Sequence, residues 1–248
     1  MKEILLLLVC FSSLWGITGN EILSQIDKLY EIRNDITAKI KLTQQKEENV
    51  KIMEAIYYRR DSDDAFLIVM TAPDIEKGNG YLRVGENFWL YKRNTRTFQH
   101  INRDESISGS DARSGDLEKR KMSELYTVAL DEKNKEKIEE EKLGNIPVYR
   151  IEITARAKDV TYPKQILWVH KNNFLILKAQ TFSLSGTLMQ TIYYLKYTQI
   201  EGRYIPLQQI FVDEFEKGNK TILELSGISF EKIPSHIFTK AYLENLSK

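Results

Sequence analysis

The sequence predicts a mainly β domain of roughly eleven strands in mostly antiparallel, next-neighbour order, with a helix at each end, curled into a barrel or half-barrel. Three observations predict it. Apolar and polar residues alternate with period two along most of the chain, the pattern of strands with one dry face. Turn-forming residues, such as Gly85-Glu86-Asn87 and Arg93-Asn94-Thr95, separate successive runs. A sheet this large cannot stay flat, because neighbouring strands twist against one another.

The chain of 248 residues begins MKEILLLLVCFSSLWGITGN. Lys2 gives a positive start, Ile4 to Phe11 form an apolar run, and Gly16 and Gly19 are small residues suited to a cleavage point. Residues 1–19 therefore read as a secretory signal peptide, and residues 20–248 as one domain, since no Pro/Gly/Ser-rich linker divides them. Val9 before Cys10 disfavours a lipid anchor there. Removing the leader removes the chain's one cysteine. The exported domain must then hold together without disulfides, which suits a bacterial periplasm.

Ile22, Leu23, Ile26, Leu29 and Tyr30 recur at helical spacing, which predicts an amphipathic helix over 20–33 with Asn20 as its cap. From Ile36 the period changes to two: Ile36, Ala38, Ile40 and Leu42 alternate with Thr37, Lys39, Lys41 and Thr43. KIMEAIYYRR continues the pattern. AFLIVMTA is apolar on both faces and reads as central. YLRVG, FWLYK and RTFQHI follow. Residues 102–123 lose the alternation and read as a loop with a short helix near 111–119. The charge run DEKNKEKIEEEK reads as a solvated hairpin or frayed edge. Five long strand patterns then lead to the last, TILELSGISFEK, and Ile237, Phe238, Tyr242 and Leu246 suit a closing helix.

The 36 basic and 35 acidic residues nearly cancel, which argues against a nucleic acid partner. His100, His170 and His236 lie far apart with no metal-ligand spacing, so no metal is expected. Neither a nucleophile elbow nor a phosphate loop is present, and Gly78-Asn79-Gly80 precedes a strand instead of opening a helix. Asp111 and Asp116 read as capping residues. No cofactor and no catalytic site are expected. Lys39, Lys41, Arg59, Arg83, Lys178 and Lys196 on strand faces argue against an outer-membrane barrel.

Residues 70–117, MTAPDIEKGNGYLRVGENFWLYKRNTRTFQHINRDESISGSDARSGDL, resemble the LolA-like outer membrane lipoprotein-sorting proteins. The shared order is a Pro after an apolar strand, Lys-Gly before a short strand, a Trp-Leu-Tyr strand, then Gly-Ser-Asp with a downstream Asp-Leu. Lys92-Arg93, where a nearby proline is usual, and Ala112, where an aromatic is usual, depart from that pattern. The resemblance implies an unclosed, strongly curved antiparallel half-barrel with helices covering its concave face. It also implies a periplasmic, monomeric carrier that shields the acyl chains of lipoproteins or phospholipid on their way to the outer membrane. An inner-membrane exporter and an outer-membrane acceptor would be its partners. Under that reading, Trp89, Tyr91 and Leu82 are the first candidates to line the hydrophobic groove. Ile36, Ile40, Ile68 and Met70 are the second. Which strand face is concave stays open at this level. A non-catalytic envelope interaction or sensor module, with a filled groove and a partner protein or exporter, is the alternative use of the same fold.

Overall fold

The computed structural model describes residues 16–119 and 121–246. Most of the leader, with Cys10, lies outside the described residues. Helix α1 (Gly19–Tyr30) is amphipathic, as its spacing predicts, but its cap is Thr18 and not Asn20. Thr18 and Glu21 form a reciprocal capping box, with Thr18 N–H donating to the Glu21 carboxylate at 2.8 Å. Gly19 is buried, and its N–H donates to Glu136 Oε2 at 2.7 Å. Ile17 packs against the core. The last residues assigned to the leader thus take part in the fold.

The strands are β1 (Ile36–Lys46), β2 (Asn49–Arg60), β3 (Ala65–Ala72), β4 (Gly80–Val84), β5 (Asn87–Lys92), β6 (Thr97–His100), β7 (Tyr126–Val128), β8 (Ile138–Leu143), β9 (Ile146–Ala155), β10 (Lys164–His170), β11 (Ile176–Phe182), β12 (Leu188–Ile200), β13 (Arg203–Asp213) and β14 (Lys220–Ser229). They form one antiparallel sheet in the order 6-5-4-3-2-1-14-13-12-11-10-9-7, and β8 pairs with β9 beside β7. The two ends, β6 and β7, do not pair, so the sheet is open. Among the described residues there are fourteen strands where the periodicity suggests roughly eleven. The difference lies partly in β7, which is three residues long, and in β8, which lies within the charge run. Glu139, Glu140 and Glu141 are exposed there, so this segment is a hairpin edge kept polar by its solvent.

Two further elements differ from expectation. The segment 111–119 holds one 3₁₀ turn, Ser114–Leu117, in place of a helix. Chain closure is split into a 3₁₀ turn at Ser235–Phe238 and helix α3 (Lys240–Asn245). A short helix, α2 (Met122–Leu125), precedes β7.

The sheet has two apolar faces. On the inner face a large core runs from Phe66 and Ile68 on β3, across Ile40 and Leu42 on β1, to Leu167 and Ile151 on β10 and β9. The opposite face carries a smaller cluster near β3 to β5, made by Leu67, Val69, Leu82 and Tyr91 with Ile233, Phe238 and Leu243 from the C-terminal segment. Strand β3 is therefore buried on both faces without being central. The C-terminal helix supplies the second cover, on the face of the sheet opposite the large core.

Asp35 anchors that segment. Its carboxylate accepts from Arg60 Nη2 at 2.7 Å and from Ile233 N at 2.7 Å. The Arg60 hydrogen bonds hold its pKa below the usual carboxylate range. A depressed folded-state pKa contributes stability above the unfolded value, about 3.9, and loses it as pH falls through the folded value. Amide hydrogen exchange of residues 233–246 should accelerate as pH falls below about 4 once intrinsic rates are divided out. Asp35→Asn should remove that added pH dependence; a pH-independent protection factor in the parent protein would refute the anchor.

Candidate functional site

The inner face of the sheet is covered by two elements outside it. One is α1, which presents Ile22, Leu23 and Ile26 and packs on β13. The other is the segment 101–125, which contributes Ile101, Ile107, Ala112, Leu117 and Met122. Asp27 joins them: its carboxylate accepts from Met122 N at 2.6 Å and from Ser123 N at 2.8 Å. Burial raises the Asp27 pKa against the pull of those bonds.

Polar side chains of the inner face hold the 101–125 segment at separate points. Gln44 Nε2 donates to Gly109 O at 2.8 Å and Gln190 Nε2 to Asp111 O at 2.8 Å. Thr221 Oγ1 donates to Asp111 Oδ2 at 2.6 Å. The Tyr81 hydroxyl accepts from Ser108 N at 2.7 Å, and the Tyr57 hydroxyl donates to Leu117 O. Asp111 and Asp116 thus serve the segment's own structure. Asp116 takes the Arg113 N–H at 2.8 Å and lies 3.1 Å from the Tyr162 hydroxyl.

A further attachment is ionic. Arg83 Nη1 lies 2.7 Å from Glu118 Oε2, and Arg103 Nε lies 2.9 Å from Glu118 Oε1. The side chains of Arg83 and Arg103 are 3% and 4% exposed. Desolvation pushes the Glu118 carboxyl up, and the two guanidiniums oppose it. Arg83 lies on the inner face because it is opposite Phe66 and Phe88 in the register. That parity was readable: a charged residue alternating with Tyr81 in an otherwise apolar strand is a buried charge in waiting. Its partner, more than thirty residues away on an irregular segment, was not.

The seven candidate lining residues do not share a surface. Ile36, Ile40, Ile68 and Met70 lie fully buried in the inner core. Leu82, Trp89 and Tyr91 face the other way, into the cluster under the C-terminal segment. Leu82 is opposite Leu67 and Trp89, and Tyr91 is opposite Phe98, so strand parity fixes the separation. The inner face of the same hairpin carries Tyr81 and Phe88 instead. Gly80 leaves room for the C-terminal helix: a Cβ there would sit 2.4 Å from Leu243 Cδ2. Trp89 is half-buried, with Lys240 Nζ 4.2 Å from its ring centroid.

In the second half of the sheet, bulges change the parity that simple alternation assigns. Two register shifts lie between Tyr194 and Tyr197 on β12. Tyr193 is exposed on the outside, while Tyr197 packs at the inner core, its hydroxyl 2.9 Å from that of Tyr30 on α1. At the end of the sheet where β11, β13 and β1 finish, a cavity of about 300 Å³ opens beside the cover. It is lined by Asp111, Tyr162, Thr181, Gln190 and Phe215 among others. Among the described residues no group of three or more metal-ligating side chains occurs, and no helix is long and apolar enough to cross a membrane.

A family model described as "Uncharacterized protein" matches residues 62–245, about three quarters of the chain. No curated protein matches. A LolA superfamily protein from Nitrosomonas europaea superposes with a TM-score of 0.77 at 22% identity, over 92% of this chain and 100% of that one. An outer membrane lipoprotein-sorting protein domain from Vibrio parahaemolyticus gives 0.78 at 19% identity, over 91% and 98%. A DUF1329 family protein from Desulfovibrio piger gives 0.77 at 20%, over 91% and 97%. At these identities the superpositions speak for the fold, and the family model for membership. The chain belongs to the family of that model, and its open, covered half-barrel is LolA-like.

Proposed function

We propose that this protein is an exported carrier that binds the acyl chains of lipoproteins or lipids against the inner face of its sheet and moves them toward the outer membrane. The observation that carries the proposal is the nature of the cover. The inner apolar face is closed by a helix and an irregular segment, not by a second sheet, and the segment is held at discrete polar points. Such a cover can leave without breaking strand pairing. An acyl chain then replaces the apolar side chains that withdraw, each buried CH₂ contributing about 0.8 kcal/mol. No catalytic group is needed. The lipoprotein-sorting domain of similar fold supports the reading. Periplasmic location, an exporter as donor and an outer-membrane acceptor belong to the same proposal, as does a leader that ends before Ile17 so that the Thr18 cap is kept.

One observation favours the second reading, an envelope interaction or sensor module. The inner face is packed with the protein's own side chains: Ile22, Leu23 and Ile26 are completely buried against it. A permanently filled core needs no cargo.

Native mass spectrometry with lipid extraction, on mature protein purified from its own kind of envelope, separates the two. Lipid or acylated peptide at near-stoichiometric level is expected. A lipid-free protein that also ignores added lipid and lipopeptide would leave the interaction module standing.

A further inference from the structure

We infer that Gln209 is the polar contact of the groove, recognising the carbonyl of an ester- or amide-linked acyl chain; this rests on the acyl-carrier reading. Gln209 lies on β13, completely buried, and both its amide nitrogen and its amide oxygen lack a hydrogen-bond partner. It shares the inner face with Phe211 on its own strand, and it is opposite Tyr194 on β12 and Leu223 on β14. All three neighbours are buried in the inner core. Helix α1 packs over this strand.

Two other buried glutamines of this face set a contrast. Gln44 and Gln190 each bond a carbonyl of the 101–125 segment and so serve the closed form. Gln209 bonds nothing there. A buried amide with neither group satisfied destabilises the fold, and an apolar side chain of similar size would be better tolerated. Such a group is explained if it meets its partner in another state. When α1 withdraws and an acyl chain occupies its place, the chain itself offers only hydrocarbon. The carbonyl at its head is the polar atom that enters with it. The Gln209 amide N–H donates to that oxygen, and the Gln209 oxygen is free to accept from the N–H of an amide-linked chain. In this way the closed form carries an unsatisfied amide that the loaded form satisfies, which favours loading and distinguishes acyl ligands from plain hydrocarbon.

The test compares two lipids that differ in one carbonyl. Lysophosphatidylcholine with an ester-linked chain, and its ether-linked analogue of the same length, each displace an apolar fluorescent dye below their micelle concentrations. The parent protein should bind the ester form about five- to tenfold more tightly. In Gln209→Leu and in Gln209→Met that ratio should fall to about one, through loss of ester affinity alone, while the melting temperature rises by about 2–4 °C. Equal affinities in the parent protein, or a ratio that survives in both variants, would overturn the assignment while leaving the carrier intact. Displacement by neither lipid would instead overturn the carrier reading, and this assignment with it.

Discussion

Glu118→Ala should lower the unfolding free energy by about 3–5 kcal/mol, because it leaves two buried guanidiniums without their shared carboxylate. Arg83 and Arg103 are almost wholly out of water, and Glu118 contacts both at 2.7 and 2.9 Å. Two other carboxylates come near: Glu86 lies 3.9 Å from Arg83 and 3.7 Å from Arg103, and Asp159 lies 3.2 Å from Arg103. Glu86 and Asp159 are exposed enough for water to screen them, so they replace little of what Glu118 provides. Replacing all three with apolar groups, as in the triple variant Arg83→Met/Arg103→Met/Glu118→Leu, should cost far less than the single change. Urea denaturation measures both. The single change should also raise hydrogen exchange across residues 101–125 more than in α3, since the broken link belongs to the inner cover. If the carrier reading holds, the loosened cover should take up apolar dye more readily. Uniform acceleration through the whole sheet would mean that the segment is part of an inseparable core.

Tyr91 is expected to give a pair of opposite results. Its ring is completely buried in the outer cluster, tilted against Phe98 at 4.6 Å between centroids, but its hydroxyl has no partner. Tyr91→Phe keeps the packing and removes an unsatisfied group, so it should stabilise by about 1 kcal/mol. Tyr91→Ala removes the ring and opens a cavity between β5 and the C-terminal segment, at a cost of about 3–5 kcal/mol. Neither should change the ester-to-ether ratio of lipid binding, because Tyr91 and the inner face lie on opposite sides of the sheet. A Tyr91→Phe protein with altered lipid affinity would place the ligand in the outer cluster, among Leu82, Trp89 and Tyr91, and would refute the inner-face groove.

Much of the architecture was legible in the sequence because each strand carries its own period. Ile36, Ala38, Ile40 and Leu42 all point inward along β1, as their alternation requires. The aromatic hairpin at 80–92 forms as its turn residues direct. The charge run also behaved as its composition demands. Less of the candidate site was legible. The residues nominated from β1 and β3 lie together on the inner face, whereas Leu82, Trp89 and Tyr91 do not join them. Period two says which residues share a face and is silent on which face curves inward. Both faces of β3 to β5 are apolar, so composition gave no tie-breaker. Only the tertiary contacts tell the two faces apart: Phe238 and Leu243 cover one, and α1 with the 101–125 segment covers the other.

By itself, then, the sequence determined the first helix, most of the strands and their antiparallel succession, properties set by residues near one another along the chain, while the periodicity left barrel and half-barrel both open. The tertiary structure alone decided three others. It joined Arg83, Arg103 and Glu118 into one buried cluster. It turned Tyr193 and Tyr197 to different sides through the bulges of β12. And it left the Gln209 amide unsatisfied in the inner core, on the strand that α1 packs against. Each depends on contacts between segments far apart in sequence, where burial and register, and not local periodicity, set what a side chain meets.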